Sequence, residues 1–217
     1  MKSPFSAMKG QVTYSMQSFQ SQQHYSTMTT QLSLKLNVDF VSASLDSDEA
    51  YTSEFHLNLV RLVFNGKIDV DPCTTRDNRT QAGQFFTKMD NSLIRNNWNP
   101  QKIEDACCFM NPPYSAGFQQ AFLEKLVEQI DLGHIKEAIA LTLDGVLHNE
   151  GTKRLVVSRC SRVAMAGRIK FVDADGNPKG ASNPRDHIFA YFGENPQNFV
   201  EVFGQHFPIY QPVLVKK

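Results

Sequence analysis

An apolar segment that runs into two consecutive prolines constrains the fold of this chain more than any other feature. Residues 107–110 are Cys-Cys-Phe-Met, a fully apolar run that predicts a strand buried on both faces of a sheet. Pro112 and Pro113 stop that strand, because proline supplies no backbone N–H group. Beyond them, apolar residues recur every four positions over 118–130, which predicts a helix. The chain therefore contains a strand–turn–helix unit, which is typical of α/β sheets.

Strands and helices alternate along residues 51–217, so the compact part is expected to repeat this unit. Pro72 is expected to end the first strand, and the loop 173–184, rich in Gly, Pro and Asn, is expected to join the last two strands as a hairpin. The pattern predicts a mainly parallel sheet with helices on both faces and an antiparallel pair at its end. The predicted strands are 68–72, 85–87, 107–110, 138–143, 167–172 and 187–192, and the predicted helices begin after Ser53, at 118, at 150 and at Pro196.

The first 50 residues differ in composition from the rest. Residues 1–31 are dominated by Ser, Thr and Gln, and no Asp or Glu precedes Asp39. Such a segment buries too little apolar surface to offset its ordering entropy, so residues 1–50 are expected to form a flexible or loosely docked extension. Strict apolar alternation over 32–40 favours one strand within it, and a basic arm that touches nucleic acid is the alternative. The compact domain is expected to span 51–217.

The charge balance and the cysteine pattern argue against several classes of protein. Lys plus Arg and Asp plus Glu are both 22, so the net charge is zero and no global field indicates a nucleic acid or membrane partner. No apolar run approaches the ~18 residues of a membrane span. The four cysteines form no Cys-x-x-Cys pair and no two histidines are four residues apart, which argues against a disulfide scaffold and a metal site. A reducing cytoplasm is the expected location.

The tetrapeptide Asn111-Pro112-Pro113-Tyr114 carries the most specific chemistry in the sequence. It follows a predicted strand, and ligands of open α/β sheets bind outside the carboxyl ends of strands. Each residue that precedes a proline is held extended, so the segment is a stiff edge that presents the Asn111 side-chain oxygen and the Pro112 carbonyl as acceptors. Tyr114 adds an aromatic face. An exocyclic amino group on a planar base matches this combination, because it offers two N–H donors and a surface for stacking.

In this setting Asn-Pro-Pro-Tyr is the signature of adenine-amino methyltransferases that use S-adenosylmethionine, and the wider chain resembles the phage-type DNA adenine methyltransferase family. The resemblance implies an abridged Rossmann-like methyltransferase sheet with helices on both faces and a C-terminal antiparallel hairpin. It also implies a site-specific enzyme that transfers a methyl group from S-adenosylmethionine to the exocyclic amino group of adenine in DNA. The matching pieces are Thr52-Ser53-Glu54-Phe55, residues 68–72, Asp90-Asn91-Ser92-Leu93 with Trp98, residues 109–115 and residues 167–171.

The chain departs from the family pattern in its first anchor and in the turn after the first strand. Ser53 stands where relatives carry proline after threonine, and Asp71-Pro72-Cys73 follows the first strand where a Gly-x-Gly loop is usual. Only about 40 residues separate Asp69 from Asn111, so the strand–helix units between them are expected to be shortened.

The resemblance implies a role for each residue on the substrate side. Asn111 and Pro112 would accept both N–H groups of a target base that has left its duplex, with Pro113 stiffening the segment and Tyr114 stacking on the base. Catalysis would then come from alignment and electrostatic preorganisation, without a metal. The remaining substrate-side residues are Ser115, Arg168 and Phe171, with Arg168 and Phe171 near the target base or its flanking phosphates.

Acidic residues are expected to hold the cofactor. Asp69 and Asp71 lie at the predicted end of the first strand, where a carboxylate can bind an ammonium group or a ribose hydroxyl. At least one of them, beside Pro72, is expected to do so. By resemblance, Thr52 would contact the methionine end of the cofactor. Asp90 would accept from the cofactor's adenine, or it forms a turn.

The contact with DNA and the identity of the substrate each allow an alternative. Residues 151–170 contain six cations and no acid, which favours either a path for DNA phosphates or a solvated helix face. The same tetrapeptide serves methyltransferases that act on RNA adenine or on protein glutamine. A catalytically inactive nucleic-acid-binding protein of the same fold is the third reading. The oligomeric state and the recognised DNA sequence are left open.

Overall fold

A computed structural model of the chain describes residues 51–114, 117–179 and 184–213. Within these residues, seven strands form a single sheet and four α-helices pack on it. The strands are β1 (Val70–Thr74), β2 (Gln84–Thr87), β3 (Cys107–Met110), β4 (Glu137–Leu143), β5 (Arg162–Gly167), β6 (His187–Phe192) and β7 (Ile209–Tyr210). The helices are α1 (Glu54–Val63), α2 (Phe118–Asp131), α3 (Glu150–Arg159) and α4 (Gln197–Phe203).

The sheet has the strand order β2-β1-β3-β4-β6-β5-β7. β1 pairs in parallel with β2 and β3, and β3 pairs in parallel with β4, whereas β6 runs antiparallel to β4 and β5, and β7 runs antiparallel to β5. Strands β1 to β5 therefore all end at one edge of the sheet, which we call the carboxyl edge, and β6 begins there. The opposite edge is the amino edge. This arrangement confirms the predicted α/β class and its C-terminal antiparallel hairpin.

Helices cover both faces of the sheet, as predicted. α1 and α4 pack on one face, where Val60 and Phe109 belong to the same buried cluster. α2 and α3 pack on the other face, where Phe122 and Met110 belong to a second cluster. Phe109 and Met110 point in opposite directions because successive side chains of a strand alternate between its faces. β3 is thus held from both sides, and burying each such side chain contributes about 1.5–3 kcal/mol.

The predicted end of the first strand is wrong. β1 begins at Val70 and continues through Pro72 to Thr74, rather than ending at the proline. The pairing of β1 with β2 shifts register between Asp71 and Thr74, where β1 has one residue more than β2. Proline is tolerated within a sheet at such an irregularity, because the ladder there does not need its missing N–H group.

The strand predicted over 167–172 is also wrong. β5 ends at Gly167, whose φ of 63° is a conformation that favours glycine and turns the chain away from the sheet. The residues that follow belong to no strand, and Val172 forms only isolated bridges. β7 is absent from the predicted set, because two residues are too few to carry a period.

The other elements lie close to their predicted positions. α4 begins at Gln197, one residue after Pro196. The expectations for residues 1–50, including a strand over 32–40, lie outside the described residues. In the described ranges, every helix is too short or too polar to cross a lipid bilayer.

Candidate active site

Asn111 follows the last residue of β3 and lies at the carboxyl edge. Its carboxamide forms two hydrogen bonds with side chains that the sequence also singles out. The Nδ2 group donates to the Thr52 hydroxyl at 3.2 Å, and Oδ1 accepts from the Tyr114 hydroxyl at 2.7 Å. The carbonyl end of the carboxamide therefore faces the aromatic ring, and the structure brings all three residues together.

Pro112 and Pro113 connect Asn111 to Tyr114. Pro112 is buried and Pro113 is half-buried, and neither has a backbone N–H group that could compete for nearby acceptors. Ser115, the next predicted substrate contact, lies outside the described residues.

Thr52 is held beside Asn111 by the chain on either side of it. Tyr51 forms two backbone hydrogen bonds with Val172, both 3.0 Å long, and α1 begins two residues after Thr52. The guanidinium group of Arg79 lies 4.3 Å from the centre of the Tyr51 ring, a favourable cation–π contact. Thr52 is itself buried, so the position of its hydroxyl is set by these neighbours.

The ring of Tyr114 packs against Phe171 and His187. The ring centroids are 6.1 Å apart for Phe171 and 5.4 Å apart for His187. Phe171 and His187 are themselves 5.4 Å apart, so three rings form one cluster at the carboxyl edge. Burial raises the pKa of Tyr114 well above its ordinary value. The phenol therefore keeps its proton and donates a hydrogen bond to Asn111 Oδ1.

His187 belongs to this cluster, although no sequence motif marks it. It begins β6, is fully buried, and its Nδ1 atom lies 3.3 Å from the Gly167 carbonyl oxygen. Burial lowers the pKa of His187 more than the Gly167 carbonyl raises it, so the imidazole is uncharged at pH 7. A strand that returns antiparallel must begin where its parallel neighbours end. The predicted hairpin was thus the signal that could have found this residue.

The Asp71 carboxyl group is buried within β1 and forms no ion pair with any described residue. Its Oδ1 accepts from the Cys73 backbone N–H at 3.0 Å, and its Oδ2 accepts from the Thr80 hydroxyl at 2.8 Å. Burial raises the pKa of Asp71 to about 6 in spite of these hydrogen bonds. Burial raises the pKa of Cys73, two residues further along β1, well above its ordinary value, and the nearby Asn111 backbone N–H opposes this rise. Asp71 and the neighbouring Pro72 thus belong to the strand segment that lies beside Asn111.

Asp69 does not lie at the end of β1, where it was predicted, but directly before the first residue of that strand. Its carboxylate pairs with the Lys67 ammonium at 2.9 Å and accepts from the Cys107 backbone N–H at 3.1 Å. Burial opposes ionisation, but these hydrogen bonds outweigh it and lower the pKa of Asp69. Because Cys107 is the first residue of β3, Asp69 lies at the amino edge. The structure therefore does not bring Asp69 together with Asn111.

Asp90 follows β2 at the carboxyl edge and forms the turn that was one of its two predicted roles. Its Oδ2 accepts from the Thr87 backbone N–H at 2.9 Å and from the Thr87 hydroxyl at 2.7 Å. These hydrogen bonds lower the pKa of Asp90, with smaller contributions from Arg95 and Arg76. Asp90 is thus an ionised carboxylate at the end of the strand that neighbours β1.

The six cations of residues 151–170 do not form one surface. Arg159 lies at the end of α3, where it donates to both oxygens of a carboxylate on α2, and Arg162 begins β5. Both therefore lie near the amino edge. Arg168 and Lys170 follow β5 at the carboxyl edge, where the Arg168 side chain is 64% exposed. Arg168 and Lys170 thus follow β5 at the same edge of the sheet at which Asn111 follows β3.

Comparison with known proteins gives a similar solved structure and a matching family model. The crystal structure of a "modification subunit of a putative type I restriction enzyme" from Vibrio vulnificus YJ016 is similar, with a TM-score of 0.39 and 14% identity. The similarity covers 77% of this chain and 47% of that one, so the chain spans about half of its length. No curated protein matches the sequence significantly. The family model of DNA N-6-adenine-methyltransferase (Dam) matches residues 46–202, which is more than half of the chain. The chain therefore belongs to the DNA N-6-adenine-methyltransferase (Dam) family.

Proposed function

We propose that this chain transfers a methyl group from S-adenosylmethionine to the exocyclic amino group of adenine in DNA. The observation that carries the proposal is the hydrogen bond from the Tyr114 hydroxyl to Asn111 Oδ1. A donor that approaches from the Tyr114 side meets a carbonyl acceptor there, beside an aromatic face. The amino group of a base stacked on Tyr114 would donate to the same oxygen. Membership of the family supports adenine in DNA as the substrate.

Asn111 and Pro112 would hold the target nitrogen by its hydrogens. With one N–H bound to Asn111 Oδ1 and the other to the Pro112 carbonyl, the nitrogen lone pair points away from both acceptors. S-adenosylmethionine supplies an electrophilic methyl group when it is bound. The two acceptors also stabilise the positive charge that develops on the nitrogen. Because a carboxamide is not a base at neutral pH, the proton leaves the nitrogen after the transfer.

The aromatic rings would receive the flipped base. A base between two rings needs two contact distances of about 3.5 Å, or about 7 Å in total. Tyr114 and Phe171 are 6.1 Å apart and their planes are tilted by 56°, so the base enters only when Tyr114 shifts. The same shift frees Asn111 Oδ1 for the amine. Stacking, worth about 1–3 kcal/mol per base, offsets part of the cost of flipping.

Asp71 and Asp90 fit the cofactor that this family is expected to use. Asp71 is a buried carboxyl group without an ion-pair partner in the described part of the chain, and a bound ammonium group would favour its ionised form. Asp90 is ionised one strand further along the carboxyl edge, where it can accept from a hydroxyl or from adenine. Asp69 is left out of this set, because its carboxylate is already bound to Lys67.

Arg168 and Lys170 are the cations that we assign to DNA. They lie at the same edge as Asn111, and within the described residues the Arg168 side chain forms a 3.8 Å ion pair with the exposed Asp186. An exposed ion pair of that length contributes little, so Arg168 can exchange Asp186 for a phosphate. Contacts of this kind supply affinity without sequence information.

A methyl-transfer assay tests the proposed function. Purified protein is incubated with tritiated S-adenosylmethionine and, in separate reactions, adenine-containing DNA, RNA and a glutamine peptide. We expect label in DNA alone, and N6-methyladenine in its nuclease digest by mass spectrometry, with Asn111→Ala as the negative control. Label in RNA or in the peptide would instead favour the alternative substrates. Calorimetry that detects no binding of S-adenosylmethionine would favour an inactive nucleic-acid-binding protein.

A further inference from the structure

We propose that Thr52 is a positioning residue that binds the amide end of the Asn111 carboxamide, so that its carbonyl end is presented to the target amine. This inference rests on the proposed function, because it concerns the group that binds the target. The sequence resemblance assigns Thr52 to the cofactor. In the structure, however, its hydroxyl accepts a hydrogen bond from Asn111 Nδ2.

The two ends of a carboxamide have nearly the same shape and opposite hydrogen-bonding roles. The target amine presents N–H groups, so it binds Oδ1 and is repelled by the N–H groups of Nδ2. When Oδ1 faces the target, Nδ2 of Asn111 faces the buried Thr52 and needs an acceptor there. The Thr52 hydroxyl supplies that acceptor at 3.2 Å. Without it, an N–H group of the half-buried Asn111 side chain loses its partner, which costs about 1–3 kcal/mol where water does not replace it.

Asn111 can keep its contact with Thr52 while the target is bound, whereas it loses its contact with Tyr114. The Tyr114 hydroxyl also fixes the carboxamide in the free protein, because it donates to Oδ1. In the proposed complex, Tyr114 shifts to admit the base, and the amine takes the place of its hydroxyl on Oδ1. The Thr52 contact is made at the other end of the carboxamide, so it persists while the target is bound. Thr52 therefore maintains the orientation of Asn111 during the reaction itself.

The position of Thr52 is coupled to the segment that carries Phe171. The preceding residue, Tyr51, forms a pair of backbone hydrogen bonds with Val172, and Val172 directly follows Phe171. Phe171 in turn contacts Tyr114. A short backbone connection thus joins the aromatic cluster to the hydroxyl that orients Asn111.

Two substitutions at Thr52 distinguish the contribution of the hydroxyl group from that of the rest of the side chain. Thr52→Val replaces the hydroxyl with a methyl group of similar size, and Thr52→Ser keeps the hydroxyl. The rate of a single turnover is measured at saturating DNA and S-adenosylmethionine, and cofactor affinity is measured separately by calorimetry. We expect Thr52→Val to slow the turnover by about 5- to 150-fold, the equivalent of one unpartnered N–H group. Its cofactor Kd stays close to that of the wild type, and Thr52→Ser restores most of the rate.

Thr142→Val is the matched control. Thr142 is fully buried in β4, and its hydroxyl has no hydrogen-bond partner in the described structure. The same chemical change at this position should leave the turnover rate unaltered.

Each result at Thr52 decides the proposal. A wild-type rate in Thr52→Val, or an equally slow Thr52→Ser, would overturn the positioning role while the proposed function stands. A weaker cofactor Kd with a normal saturated rate would also overturn it, and would make Thr52 a cofactor ligand. A wild-type protein that methylates no substrate would remove the proposed function, and this inference with it.

Discussion

Charged side chains at the amino edge of the sheet are paired within the chain, whereas a carboxyl group nearer the carboxyl edge is not. At the amino edge, Asp69 pairs with Lys67, and Arg159 donates to both oxygens of Asp131. Two residues further toward the carboxyl edge, within β1, the Asp71 carboxyl group is buried without an ion-pair partner among the described residues, and its pKa rises to about 6.

Asp69 and Asp71 are separated by one residue, yet only Asp69 has a cationic partner among the described residues. This difference indicates which of the two carboxyl groups is available to a ligand. A carboxylate that is already paired within the chain, as Asp69 is with Lys67, gains little from a further cation. A buried carboxyl group without a cation is costly to ionise, and a cationic ligand would relieve that cost. Under the proposed function, we therefore expect the cationic end of the cofactor to bind beside Asp71 and not beside Asp69.

The largest effect is expected at Asn111. Under the proposed function, replacing Asn111 with Ala removes the acceptor that would align the amine, and the loss of one preorganised group of this kind should lower kcat by about 10²- to 10³-fold. Tritium transfer to DNA measures the loss, and calorimetry with S-adenosylmethionine should give a Kd near that of the wild type. A variant that folds, binds the cofactor and still methylates DNA would contradict the role of Asn111.

The pair Asp71→Asn and Asp69→Asn tests the comparison directly. Removing the Asp71 charge should weaken the binding of S-adenosylmethionine by about 10- to 100-fold, the value of a hydrogen bond to a charged group. The same change at Asp69 should leave the Kd within about twofold, since its partner is Lys67. Calorimetry on both variants measures this difference. Equal weakening in the two variants would show that the edges do not differ as we describe.

The same two aspartates should give opposite pH dependences of stability. The pKa of Asp71 is about 6 in the folded protein, above its ordinary 3.8. The folded state therefore binds more protons between these values, and stability falls as pH rises from about 4 to 6. Asp71→Asn should remove this loss, which is at most about 3 kcal/mol at pH 7. The pKa of Asp69 is lowered, so its contribution is present above about pH 4 and is lost below it.

Urea unfolding of wild type and both variants at pH 3, 4, 5, 6 and 7 measures these contributions. The stability of Asp71→Asn relative to wild type should rise up to about pH 6 and then level off, while that of Asp69→Asn should change mainly below pH 4. If the stability difference between Asp71→Asn and wild type did not change with pH, burial would not raise the pKa of the Asp71 carboxyl group.

Within the aromatic cluster at the carboxyl edge, two substitutions of Tyr114 should have opposite effects. Tyr114→Ala removes the stacking face and should lower kcat/KM by about 5- to 150-fold. Tyr114→Phe keeps the face but removes the hydroxyl that occupies Asn111 Oδ1, so the KM for DNA should fall by about 2- to 10-fold. Steady-state kinetics on DNA distinguishes the two. If Tyr114→Phe were as impaired as Tyr114→Ala, the hydroxyl would be needed for the reaction rather than competing with it.

The sequence predicted the carboxyl edge better than the amino edge, for a physical reason. The residues Asn111 and Tyr114 sit in a motif whose prolines fix the local backbone, and their position after a buried strand follows from apolar content alone. Asp69 was misplaced because strand limits depend on pairing partners. Pro72, which normally ends a strand, is accommodated here by a register shift against β2.

His187 and Thr52 show what local patterns leave out. His187 reaches the cluster only because β6 returns antiparallel beside β4, which is a property of topology. The contact between Thr52 and Asn111 joins residues 59 positions apart. Family resemblance flagged Thr52, but the partner of its hydroxyl depends on how the segment before α1 docks on Val172.

The smallest effect is expected from the basic run, where the two edges again supply a matched pair. Arg168→Ala should weaken DNA binding a few-fold and reduce the slope of log K against log salt by about 0.9, the value for one phosphate contact. Arg159→Ala removes an equal charge from the amino edge. It should cost about 0–1 kcal/mol of stability and leave the salt slope unchanged, as measured by fluorescence anisotropy from 50 to 200 mM salt. Equal slopes for the two variants would mean that cations at both edges contribute equally to DNA binding. The separation of the edges would then hold for the cofactor and the target base, and not for the phosphates.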